Sequence, residues 1–197
     1  MYEQRDLKAY PLEGYYAEIG FLQQGIGLLD GGKKGVGTID LTYSHYEPLQ
    51  AGWYAAVGFR GKWSGGPGLS YFNQQGLGFH RDLVRGYEPY VLDGQWFGIV
   101  KTNLKYNLLP QRVSRLRFIS SERFSLIHYA LYLNAFFDWG YVGDRYFSQG
   151  NPLNNAWLGG AGLGLDFVTY YDKVLRTEFS LNRKGKAGLY FHLIAPI

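Results

Sequence analysis

Serine, histidine, arginine and the carboxylates are the side chains through which this sequence could do chemistry, and their spacing speaks against catalysis. Ser125 and His128 lie three residues apart, which on an extended strand sends them to opposite faces, so neither can activate the other. His45, His80 and His192 have no metal-like spacing. Cysteine is absent, which removes both a disulfide framework and a thiolate metal site. Asp30-Gly31-Gly32-Lys33-Lys34-Gly35 has the look of a phosphate loop, but no helical pattern follows, and it reads as a turn. The run Gly160-Ala161-Gly162-Leu163-Gly164 also lacks the helix that a dinucleotide site needs. No enzyme activity, cofactor or metal is expected.

The elements that carry these residues are strands. Ile39, Leu41 and Tyr43 alternate with Thr38, Asp40, Thr42 and Ser44, and Trp53, Ala55, Val57, Phe59 and Trp63 alternate with Tyr54, Ala56, Gly58, Arg60 and Lys62. Similar alternation marks residues 15–21, 98–108, 124–138, 161–167, 175–181 and 189–193. A less regular stretch, 69–79, reads as a short strand feeding a loop, and Pro110 with the basic residues 111–117 is expected to end the strand before it. The dominant period is two, and about nine strands with no helix follow. Arg60, Lys62, Lys101, Lys105, Asp138, Asp166, Arg176 and Glu178 all fall opposite the apolar rows. A soluble sandwich or small barrel alternates too, with its apolar face inward; a membrane barrel turns that face to lipid and the charges to a wet lumen. Alternation alone does not separate them.

Composition narrows the class. The 197 residues are 46% hydrophobic and 18% charged, with 28 glycines, 18 tyrosines, 13 phenylalanines and 5 tryptophans. Aromatics in that number suit strands and the belts at a membrane surface. No apolar run has the length of a membrane-spanning helix, which leaves barrel strands untouched as a reading. The net charge of +4 is dispersed among turns and strand interiors, so nucleic acid is not an expected partner. Met1-Tyr2-Glu3-Gln4-Arg5-Asp6 carries no signal-peptide pattern.

Several motifs, in order along the chain, resemble the Omp85 superfamily of outer-membrane surface-antigen barrels. Asp82-Leu83-Val84-Arg85-Gly86-Tyr87 resembles its VRGY/F loop signature, and Tyr10-Pro11-Leu12-Glu13-Gly14 its Pro-x-x-Gly strand entrance. Asn103-Leu104-Lys105-Tyr106 with Pro110 resembles the strand after the long loop, Phe136-Phe137-Asp138-Trp139-Gly140 the Phe/Trp-x-Asp-x-Gly strand ending, and residues 160–164 the glycine-rich strand near the end. The resemblance implies a transmembrane antiparallel β-barrel, with residues 1–197 forming about nine strands of a larger one and no periplasmic repeat domain. It implies residence in the bacterial outer membrane and a role in inserting or translocating proteins there. The alternative is a non-catalytic barrel anchor or passive channel for a fused or partner domain.

The same resemblance assigns roles. Arg85, Gly86 and Tyr87 would anchor the loop in the lumen, with Asp138 as the carboxylate for the guanidinium. Family members often carry an acid where Lys105 stands, and a lysine there repels Arg85, so Glu88, Asp166 and Glu178 are the compensating carboxylates to look for. Gly188, Leu189, Tyr190, Phe191, His192, Leu193 and Ile194 would form the last strand's side of a weak seam that templates another strand. Expected partners are outer-membrane lipid, substrate outer-membrane proteins, and a second copy or partner chain completing the barrel.

Overall fold

Period-two alternation does build strands: the computed structural model has β1 (Tyr2–Glu3), β2 (Gly14–Gln24), β3 (Val36–Pro48), β4 (Trp53–Gly65), β5 (Trp96–Arg115), β6 (Leu126–Gly143), β7 (Trp157–Thr169), β8 (Val174–Asn182) and β9 (Ala187–Ile194). The structure describes residues 1–25, 35–66, 69, 71–79, 82–115, 126–146, 150–169 and 173–194. The expected turn at residues 30–34, His80, Phe124, Ser125 and residues 195–197 lie outside them. All nine strands form one antiparallel sheet in sequence order, each paired with the next.

That sheet is not a barrel. Among the described residues β9 pairs only with β8, and β1 only with β2, where it covers Tyr16 and Ala17, Gln4 N donates to Tyr15 O at 2.9 Å, and β2 beyond Ala17 is left as an edge. The expected transmembrane antiparallel β-barrel, of which this chain would form about nine strands, is therefore corrected to an open all-β sheet. The reason is physical: alternation fixes which way a side chain points but carries no information about whether the outer strands meet.

Two strand expectations also change. Residues 69–79 do not form a strand; Tyr71–Asn73 make a single 3-10 turn, and Gln75 and Phe79 make isolated bridges to Asp93 and Asp82. Gly78, at φ 89°, turns the chain there. Pro110 does not end β5, which runs on to Arg115 with register shifts against β6 between Asn107 and Leu109 and between Leu109 and Arg112. Pairing with β4 stops at Tyr106, so from there β5 has one free side, where a residue without an N–H donor is tolerated.

The two faces differ sharply. Ile19, Phe21, Ile39, Leu41, Val57, Phe59, Leu133, Leu163 and Phe179 are exposed on the apolar face. The opposite face carries Lys105, Asn134, Asp138, Asp166, Glu178 and Ser180, all buried. What covers it is chain folded back onto it. From the segment between β4 and β5, Leu77, Val84, Tyr87 and Leu92 pack with Phe97, Ile99, Val142, Leu153 and Leu158. From the segment before β2, Tyr10 packs with Ala130, Tyr132 and Val174. Here the core is a layer of loop on the charged side of the sheet.

Candidate functional site

The polar face is organised by two ion-pair clusters, and the first forms around Arg85. Its segment reaches the sheet through successive turns, with Tyr87 N donating to Val84 O at 3.0 Å and Tyr90 N to Tyr87 O at 2.9 Å. Gly86 has φ 92°, in the left-handed region, and a Cβ there would lie 3.3 Å from Asn182 Cβ. Gly160 of β7 lies directly beneath: a Cβ on it would overlap the Arg85 carbonyl oxygen. Asn182 Nδ2 donates to Gly86 O at 3.0 Å and fixes the turn to the end of β8. Two glycines and one asparagine set the depth of the loop.

Arg85 then uses every donor it has. Nε and Nη2 hold Asp138 bidentately at 2.7 and 2.5 Å, and the Arg85 backbone N–H adds a third contact to the same carboxylate at 3.1 Å. Nη1 donates to Asn103 Oδ1 at 2.7 Å and Glu178 Oε1 at 3.3 Å, and Nη2 also reaches Thr102 O at 3.2 Å. The guanidinium carbon lies 3.8 Å above the Phe136 ring. Arg85 is 5% exposed and Asp138 is fully buried. A buried guanidinium is tolerated only when its five donors are met, and here they are.

The second cluster sits one step along the sheet. Arg176 of β8 holds Asp166 of β7 through Nε at 2.7 Å and Nη2 at 3.0 Å, and Tyr10 Oη donates to the same carboxylate at 2.8 Å. Burial raises the Tyr10 phenol pKa, and the negative Asp166 raises it further. Burial works against the charge on Arg176, but Asp166 outweighs it and raises that pKa. Glu178 joins the clusters: its Oε1 also lies 3.7 Å from Arg176 Nε, and its Oε2 lies 3.4 Å from His192 Nε2 of β9.

Of the three carboxylates considered beside Lys105, Glu178 therefore touches Arg85, Asp166 is taken by Arg176 and Tyr10, and Glu88 accepts the Gly86 N–H at 2.9 Å. Burial raises the Glu88 pKa. Lys105 holds its Nζ 3.8 Å above the Tyr10 ring and donates to Pro11 O at 3.4 Å. Burial, with the neighbouring Arg176 charge, lowers its pKa to about 7. Gly188 to Ile194 lie in β9, whose second edge is unpaired among the described residues. Sequence reasoning missed Asn103, Asn182, Arg176 and Tyr10. Parity placed Arg176 beside Asp166 and Glu178, but Tyr10 lies outside any strand and gives no periodic signal.

Comparison with known proteins adds no relative: no family model, no curated protein and no solved structure matches this chain. Membership of the Omp85 superfamily is thus not supported, although the local motifs resemble it. The expected bacterial outer-membrane location and the insertion or translocation role rested on that membership and on a closed barrel, as did the anchor or channel alternative. With the sheet open and no match, these expectations are withdrawn. Among the described residues no helix is long and apolar enough to cross a membrane.

Proposed function

We propose that this chain is a non-catalytic assembly module, whose open sheet is extended by strand pairing along β9 with another β-rich polypeptide, a second copy being the simplest. The observation that carries this reading is the character of β9. Leu189, Phe191 and Leu193 are 58%, 67% and 69% exposed, on a strand paired along one side only among the described residues. Edge strands are normally protected by lysine, proline, a bulge or a short length. Residues 187–194, Ala-Gly-Leu-Tyr-Phe-His-Leu-Ile, have no lysine or proline, and their pairing with β8 runs without a register shift. The buried ion pairs support the role by holding β5, β6 and β8 to one inserted loop, so that β9 is presented on a braced sheet.

The natural absence of cysteine makes the test clean. A Phe191→Cys variant, oxidised at micromolar concentration, is expected to give a disulfide-linked dimer, whereas Val57→Cys on the apolar face of β4 is not. Equal cross-linking at both positions would mean non-specific adhesion. Absence of cross-linking at Phe191, with a monomeric mass in solution, would sink homotypic pairing.

A second reading has its own observation. Trp96, Trp139, Tyr141 and Trp157 surround a groove of about 920 Å³ on the apolar face, with Arg183 at its rim. Amphipathic rings beside a cation suit contact with lipid. Flotation with phospholipid vesicles tests it, and a chain left at the bottom of the gradient would exclude it.

A further inference from the structure

On the polar face, between β3, β4 and β5, the two covering segments leave a hollow. Ser44, Gly58 and Lys101 lie side by side on one cross-strand row, and Thr42 and Arg60 on the next. Because the middle position of the first row is glycine, the sheet there has a floor without a side chain. The hollow has a volume of about 190 Å³, and Thr42, Ser44, Arg60 and Lys101 line it, with Asp82 reaching in from the inserted loop.

Arg60, Arg85 and Lys101 stand among the carboxylates Asp82, Asp138 and Glu178, but the bonded pairs leave Lys101 out. Arg60 Nε holds Asp82 Oδ1 at 2.6 Å, so that pair is internally balanced. Lys101 stands across the strand pair from Asp138, but both oxygens of Asp138 are held by Arg85 at 2.5–3.1 Å. Lys101 is left as an amine with no carboxylate bonded to it among the described residues, beside two hydroxyls with no hydrogen bond within the protein among them. One amine and two hydroxyls around a glycine floor can all donate to an anion seated there.

We infer that this hollow is a binding site for a phosphate-sized oxyanion, held by Lys101 Nζ and the Thr42 and Ser44 hydroxyls, with Arg60 closing one side. Burial lowers the Lys101 pKa against the pull of Asp138, Asp82 and Glu178, none of which is bonded to it, and an anion in the hollow would give it a bonded counter-charge. The site is independent of the strand-pairing role of β9.

The test is calorimetric titration of the full chain with inorganic phosphate, against chloride at the same ionic strength. Lys101→Met removes the cation, and Gly58→Leu fills the floor at a position with ordinary backbone angles, where a Cβ lies 3.4 Å from Ser44 Oγ. Saturable binding to the natural chain, weakened at least tenfold in both variants, is the expected result. Thermal unfolding of the three proteins without phosphate shows that each is folded. Glycerol 3-phosphate run in parallel separates the two sources: tighter binding of the ester marks a phosphate-ester site, and equal or weaker binding marks a site for the free anion. No heat beyond the chloride control, or an affinity within twofold of the natural chain's in either variant, overturns the inference.

Discussion

At the scale of single residues, Arg85 and Asp138 show how an ionic pair can be obligatory without being an efficient source of stability. Removing one partner leaves a buried charge, which costs about 3–5 kcal/mol, whereas replacing both with apolar groups costs much less. Asp138→Ala should therefore lower the urea-unfolding free energy by about 3–5 kcal/mol. The double variant Arg85→Met/Asp138→Ala should recover a good part of it, even though Glu178 and Asn103 lose a donor. If the double variant is no more stable than Asp138→Ala, the guanidinium is not the source of the loss. Gly86→Ala introduces a side chain at φ 92° against Asn182, and should cost about 1–2 kcal/mol in the same assay. A loss below a few tenths would show that the loop can shift away from Asn182 freely. Residue types made part of this legible: parity alone puts Asp138, Asp166, Arg176 and Glu178 on one face. Parity cannot say which carboxylate meets which cation, because that depends on loops that have no period.

At the scale of elements, the segment before β2 behaves as a strap, and Lys105 makes its docking depend on pH. The pKa of Lys105 is depressed to about 7 beneath the strap, from an ordinary value of 10.5 when solvated. Between these values the undocked state binds more protons, so docking strengthens as pH rises from about 7 towards 10.5 and weakens as it falls back. The charged groups facing Lys105 are Arg176 and Arg85, which act with burial, and Asp166 and Asp6, which oppose it and are outweighed. Hydrogen exchange in residues 4–13, corrected for intrinsic rate, should be faster at pH 7 than at pH 9, and Lys105→Met should remove most of the difference. The same pH dependence in Lys105→Met would place its origin elsewhere. The strands themselves were legible wherever an apolar row ran unbroken, as from Ile127 to Phe137 in β6. They were not where Gly76 and Gly78 interrupt residues 71–79, or where a register shift carries β5 past Pro110. Local composition reports a strand's interior better than its ends.

At the scale of the whole molecule, the sheet buries its charges under loops and turns its apolar side chains outward, a surface of the kind that marks an interaction site. The segregation of charges from the apolar rows was legible in the sequence, but which of the two faces is covered was not. Whether the sheet closed was not, because edges are defined by strands far apart in the chain, and motif resemblance offered no substitute for that contact. The open edge of β9 is where the proposed pairing must leave a trace. Alternate residues of β9 direct their backbone N–H groups away from β8, and these have no strand partner among the described residues. Hydrogen exchange resolved along β9, measured across a dilution series of the full chain, reads them without any mutation. Edge pairing predicts that these amides are slowed at concentrations where the chain associates and become fast on dilution, while the amides facing β8 stay slow throughout. Fast exchange of the outward amides in the associated protein would show that association happens elsewhere on the molecule and that β9 does not template a strand.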